Sequence, residues 1–139
     1  MVEFTQSLRQ GALILLLALI PAIVALFFHP RSPARSQPVR EGEITLQDAL
    51  AARSVLWIDA RPAGQYAQEH IPGALPLNED EWNVLLPAVL GQWNPGQVAV
   101  VYCSSQSCQA SHEVAARLRE FKLGPVFALA GGWEAWVNR

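Results

Sequence analysis

Two cysteines, Cys103 and Cys108, bracket the polar run Ser104-Ser105-Gln106-Ser107 in a chain of 139 residues. The chemistry open to such a pair is that of a thiolate: nucleophilic attack or disulfide exchange. Cys103 follows directly on Val98-Ala99-Val100-Val101-Tyr102, an unbroken apolar run that suits a strand covered on both faces. Beyond Cys108, the residues Val114, Ala115, Leu118 and Phe121 recur at helical spacing and predict one buried stripe. A strand, a tight loop and a helix N-terminus aim several backbone N–H groups at one point, and the helix dipole adds partial positive charge there. A thiol at that point is pushed toward thiolate, the nucleophilic form. The plain alternative makes Cys103 a buried strand-end thiol. The reactive reading is favoured because the pattern supplies the surroundings that activate a cysteine. Cys108 is left open between a second reactive group and a small residue packed at the helix start.

Composition removes several classes of function. Two cysteines exclude a disulfide-rich scaffold and a four-thiolate metal site, and nothing in the pattern implies a metal or a cofactor. Charge is split along the chain. Residues 1–40 carry four arginines against Glu3, or +3; residues 41–139 carry six basic and eleven acidic groups, or −5. The acidic part offers no basic patch, so nucleic acid is not an expected partner.

The elements that must position the cysteines lie behind an apolar N-terminal region. After a tail at residues 1–10, Gly11–Phe28 is 18 residues without a charge. As a helix it would span about 27 Å, near the lower limit for crossing a bilayer. Pro21 lies within it, which transmembrane helices tolerate. The residues before it form a weak positive n-region, and no A-x-A site follows it, so an uncleaved single-pass anchor is expected over a signal peptide. Arg31, Arg35 and Arg40 follow the span and Arg9 precedes it. The positive-inside rule then places the C-terminal domain in the cytoplasm, with the periplasmic or other extracytoplasmic side as the alternative. Residues 29–42, with Pro30, Pro33 and Pro38, read as an extended, solvated linker.

The domain proper is expected at residues 43–139. Thr45 and Asp48 have the form of a capping box before Leu46, Ala49 and Leu50. Val55–Asp59 reads as a strand, with Arg61 placed to pair with Asp59, and residues 62–68 as a short helix carrying Tyr66. Residues 70–74 form a turn, followed by an extended piece to Leu77. Asn78 is expected to cap a helix whose first turn is Glu79-Asp80-Glu81, with Trp82, Leu85, Leu86 and Leu90 buried and Pro87 ending or kinking it. Val126–Leu129 is the last strand; Gly131-Gly132 turns into a terminal helix. Alternating strands and helices imply an α/β fold with a mainly parallel sheet, whose ligand site lies at the carboxyl ends of the strands, where Cys103 falls.

Asp59-Ala60-Arg61, Tyr66, His70-Ile71-Pro72-Gly73-Ala74, the strand–Cys103–loop–helix unit and Gly131-Gly132-Trp133-Glu134-Ala135-Trp136 stand in the order found in rhodanese-like proteins. Over about residues 43–139 the chain resembles a single-domain member of that family. The resemblance implies a rhodanese-like five-stranded parallel sheet with helices on both faces, here preceded by one transmembrane helix. It also implies sulfur transfer, in which a loop cysteine takes a sulfane sulfur from a donor, becomes a persulfide and passes the sulfur on. Mapped onto this chain, Cys103 is the nucleophile. The N–H groups of Ser104, Ser105, Gln106, Ser107 and Cys108 cradle the outer sulfur as an anion nest does. Asp59 and Arg61 brace the fold near the site, and His70 and the Gly-Gly-Trp segment are mainly structural. The chain departs from its relatives in three places. Gln65 stands where Glu is common and Glu69 where Gly is common, both read as tolerable surface or turn changes. The loop holds no Arg or Lys, and a −5 domain does not draw in anionic thiosulfate. The spacing from Cys103 to Gly131-Gly132 is about two residues longer than in small relatives, which suggests a larger loop. Phosphatase relatives carry a downstream Arg that grips phosphate; none occurs after Cys103 before Arg117, so that activity is rejected.

Three functions follow in order of preference. The first is a membrane-tethered sulfurtransferase or persulfide carrier, served by a small sulfur donor and a thiol acceptor, with delivery to a protein partner at the membrane. The second is a thiol redox protein with a reversible Cys103–Cys108 disulfide, which the five-residue offset permits if the loop folds back. The third is a catalytically weak binding module on the same fold.

Overall fold

Val98–Tyr102 can form the middle of a sheet because almost nothing in it needs water: Ala99, Val100, Val101 and Tyr102 are all fully buried. The computed structural model describes residues 39–139 apart from Gln106 and Leu123. Its strands are β1 (Glu43–Ile44), β2 (Val55–Asp59), β3 (Leu75–Pro76), β4 (Val98–Tyr102) and β5 (Val126–Leu129). They form one sheet in the order β1-β5-β4-β2-β3, with every pairing parallel. The helices are α1 (Leu46–Ala51), α2 (Ala63–Gln68), α3 (Trp82–Gln92), α4 (Ala110–Arg119) and α5 (Gly132–Val137). The expected anchor at residues 11–28 lies outside the described residues. Among those described, no helix is long and apolar enough to cross a membrane.

Strand alternation splits the core in two. Leu56 and Ile58 of β2, Ala99 and Val101 of β4, and Cys103 pack with Trp82 and Val89 of α3 and Val114, Ala115 and Leu118 of α4. On the other face, Val100, Tyr102 and Leu129 pack with Ala49, Ile71 and Ala74, and with Trp133 and Trp136 of α5. Each fully buried Val, Leu or Ile contributes roughly 1.5–3 kcal/mol. Losing any one of them on β4 would therefore loosen the strand that carries Cys103.

Local chemistry sets some of the element ends. Thr45 caps α1, its hydroxyl accepting from the Asp48 N–H at 3.1 Å and donating to the Asp48 carboxylate at 2.7 Å. Asn78 does not cap a helix as expected; its Oδ1 accepts from the Glu81 N–H at 2.8 Å and closes a turn. Residues 79–81 remain in turns, and α3 begins only at Trp82. The helix runs through Pro87, because the bond lost there is a single one to the carbonyl of Asn83 in its first turn. Its deepest residues are Trp82 and Val89, with Leu85, Leu86 and Leu90 half-buried. The α4 stripe is as expected for Val114, Ala115 and Leu118, but Phe121 is 43% exposed. The helix stops at Arg119, and the N–H groups of Glu120 and Phe121 bond carbonyls three residues back, those of Arg117 and Leu118, a tighter turn that takes Phe121 off the stripe. The end of the expected linker is likewise ordered by a turn: the Glu43 N–H donates to the Arg40 carbonyl at 3.0 Å, and the Arg40 N–H to the Glu43 carboxylate at 2.8 Å.

Candidate functional site

Cys103 is the first residue beyond β4, at the carboxyl edge of the sheet, and the loop it opens runs from 103 to 109 before α4 starts at Ala110. The first part of this loop is fastened by α5. The Trp133 N–H donates to the Cys103 carbonyl at 2.7 Å, and the Glu134 N–H to the Ser104 carbonyl at 3.3 Å. These are N–H groups of the first turn of a helix, which have no partner inside it. The approach is close because Gly132 has no side chain. A Cβ there would run into the Cys103 carbonyl, and the residue sits at a φ of +55°. A third tie comes from α2, where the Ser104 hydroxyl donates to Gln65 Oε1 at 2.9 Å.

The rest of the loop closes on itself. The Cys108 N–H donates to the Ser105 carbonyl at 3.2 Å, and the Ser105 and Ser107 hydroxyls lie 3.1 Å apart. The turn brings Cys108 back to Cys103, with 6.2 Å between their Cα atoms, and the two are joined by a disulfide. Cys103 is only 1% exposed, whereas Cys108 is half-buried against the α3–α4 core face. Among the described residues, the N–H groups of Ser104, Ser105 and Ser107 meet no acceptor. Gln106, expected in one cradle with them, lies outside the described residues.

Asp59 and Arg61 occupy the opposite face of the sheet from Cys103. The Arg61 side chain grips the Asp59 carboxylate through Nε at 3.0 and 3.1 Å and Nη2 at 2.7 Å, with both residues buried. Nη2 also donates to the Glu69 carbonyl at 2.6 Å. The guanidinium lies 4.4 Å from the Trp133 ring centre and 5.4 Å from that of Tyr102. Burial acts to lower the Arg61 pKa, but the hydrogen bonds and charge of Asp59 outweigh it, so the net shift is upward. Tyr102 is pushed up too, first by burial and then by Asp59, against the opposing Ile71 N–H. That N–H donates to the Tyr102 hydroxyl at 3.1 Å. The pair therefore braces the back of β4 and the root of α5.

The turn at residues 70–74 belongs to the same brace. Tyr66 stacks on His70 at 4.1 Å between ring centres, its hydroxyl donates to the Ala74 carbonyl at 2.9 Å, and His70 Nδ1 bonds the Tyr66 carbonyl at 2.9 Å. Near the loop, Ala60, Pro62, Asn78, Glu79, Asp80 and Ala110 line a cavity of about 170 Å³. Its two acidic residues oppose the entry of anions. Arg117, the first arginine after the loop, stacks 3.7 Å from the Trp82 ring centre. Among the described residues, no group of three or more His, Cys, Asp or Glu side chains is placed to hold a metal ion.

Residues 44–139 match the family model for the rhodanese-like domain. The chain belongs to that family. Known structures repeat the fold. A protein from Bacillus halodurans matches with a TM-score of 0.57 at 23% identity, over 69% of this chain and 71% of its own. A rhodanese-like domain protein from Staphylococcus aureus matches at 0.51 and 24% identity, over 68% and 89%. A thiosulfate sulfurtransferase from Pseudomonas aeruginosa matches at 0.54 and 26% identity, over 73% of this chain but only 19% of its own much longer chain.

Within this rhodanese-like domain, sequence reasoning missed two contacts. Gln65 is not a neutral surface change, since it holds Ser104. A helix of six residues with no buried side chain gave no sign of that. The other is at the Gly-Gly-Trp segment, expected to serve the fold at large, which is tied to the cysteine loop itself through the Trp133 and Glu134 N–H groups. The doubled glycine was the available signal, since it marks a backbone that side chains would obstruct, and both residues have positive φ.

Proposed function

We propose that this rhodanese-like protein is a membrane-tethered sulfurtransferase that carries a sulfane sulfur as a persulfide on Cys103. The observation behind this reading is the clamp on Cys103. Its carbonyl is tied to α5 at 2.7 Å, just after the central strand, while the next N–H groups of the loop stay unpartnered among the described residues. A nucleophile fixed against its own backbone, beside free donors, suits a reaction that builds negative charge on sulfur. In the first half-reaction the Cys103 thiolate attacks the sulfane sulfur of the donor. A new S–S bond forms, the donor's S–S bond breaks, and the donor remnant leaves with the electron pair. In the second, an acceptor thiolate attacks the outer sulfur and Cys103 leaves as thiolate. The net charge of −5 over residues 41–139 and the acidic cavity favour a neutral or thiol-derived donor over thiosulfate. The anchor at residues 11–28 would hold this chemistry at the cytoplasmic face of a membrane, close to a membrane-bound acceptor.

The test is sulfur uptake by the full chain, reduced with a phosphine and freed of it. Intact mass should rise by one sulfur atom with a persulfide or polysulfide donor, and Cys103→Ser should take up none. Equal uptake by that variant would refute the reading. The Cys103–Cys108 disulfide favours a second reading, a dithiol redox protein without sulfur transfer. That reading expects donor-independent thiol oxidation and no persulfide mass.

A further inference from the structure

We infer that Cys108 is a resolving cysteine: it displaces the sulfur held on Cys103 as sulfide and closes the Cys103–Cys108 disulfide. The inference rests on the persulfide reading above and adds the fate of the sulfur when no external thiol collects it. The 6.2 Å between the two Cα atoms lies inside the window that a disulfide allows, so the two sulfurs meet without a change of fold. The Ser105 carbonyl bond from the Cys108 N–H keeps that approach in place. The bond in the structure joins Cys108 to the sulfur of Cys103 itself, which would be the inner sulfur of the persulfide. Attack there gives a balanced step. The Cys108 thiolate forms the new S–S bond, the bond between inner and outer sulfur breaks, and the outer sulfur leaves with the electron pair as hydrosulfide. The two cysteines are oxidised together, and the sulfane sulfur is reduced to sulfide.

Exposure decides how the cycle resets. Cys103 is 1% exposed in the disulfide, while Cys108 is half-buried. A dithiol reductant therefore reaches the Cys108 sulfur, forms a mixed disulfide there and frees the Cys103 thiolate. The second thiol of the reductant then releases Cys108.

The experiment uses the full chain in detergent, reduced with a phosphine, desalted, loaded with glutathione persulfide without oxygen, and desalted again. Sulfide and intact mass are then followed with no thiol present. Wild type should release about one sulfide per loaded chain and end as the disulfide, lighter than the reduced protein by two hydrogens. Cys108→Ser and Cys108→Ala should hold the extra sulfur and release it only when a thiol is added. Wild type that keeps its persulfide and releases no sulfide overturns the inference while leaving the persulfide reading intact. Equal sulfide release by the Cys108 variants also overturns it. Protein that never gains a sulfur overturns both.

Discussion

The backing of Cys103 and the loop in front of it are built on opposite plans. Behind the strand, Asp59, Arg61, Tyr102 and Trp133 are tied by buried, charge-assisted and stacked contacts, several of them to main chain. In front, the first residues of the loop are held by α5 and Gln65. Among the described residues, the stretch around Ser107 and Cys108 is held by one backbone bond, one hydroxyl contact, the disulfide and the packing of Cys108 on the α3–α4 face. The contrast shows where rigidity is needed. Under the proposed sulfur transfer, Cys103 must not drift, and its backbone is the well-tied part of the loop. Under the proposed resolving step, Cys108 needs room, and it sits in the more loosely tied part.

That contrast can be broken from the rigid side first. Arg61→Ala leaves the buried Asp59 charge without a partner and should cost about 3–5 kcal/mol in urea unfolding. Sulfur uptake should fall only as far as the folded fraction does. Gly132→Ala strikes the join between the two regions. It forces a Cβ against the Cys103 carbonyl at a left-handed φ, and about 2–4 kcal/mol of stability should go with it. Here uptake per folded molecule should drop as well, which separates a support of the loop from a support of the fold. Tyr102→Phe leaves the Ile71 N–H unpaired in the core and should cost about 1–3 kcal/mol at neutral pH. Wild type should also lose stability as pH rises past 10.0, because the unfolded phenol ionises there while the folded one, shifted upward, does not. The phenylalanine variant should lack that part of the alkaline slope. The smallest effect belongs to Gln65→Ala, at about 0.5 kcal/mol for an exposed side-chain bond. Its mark should instead be slower sulfur uptake, read by mass against time. Unchanged uptake would remove Gln65 from the site.

Much of this fold could be read ahead of any coordinates. Val55–Asp59, Val98–Tyr102 and Val126–Leu129 are strands at the expected residues, since short apolar runs between turn signals have few other stable uses. The Asp59–Arg61 pair was legible from a two-residue spacing at a strand end. β1 was not: Glu43 and Ile44 are a strand only because Ala128 and Leu129 lie beside them. Phe121 shows the limit of periodicity, which marks a stripe but not the residue where the helix ends.

The cysteine loop divides along the same line. Local pattern was enough to place a thiol after a buried strand and before a helix, and family motifs in order were enough to name the sheet around it. Both are properties of nearby residues, and nearby residues constrain one another directly. Pattern alone left the role of Cys108 open and treated Gln65 as surface. Their contacts depend on how a turn closes and on which helix packs at the strand edge. Such long-range neighbours are selected by the packing of the whole domain, and only there do Gly132 and Cys108 meet Cys103 while Gln65 meets Ser104.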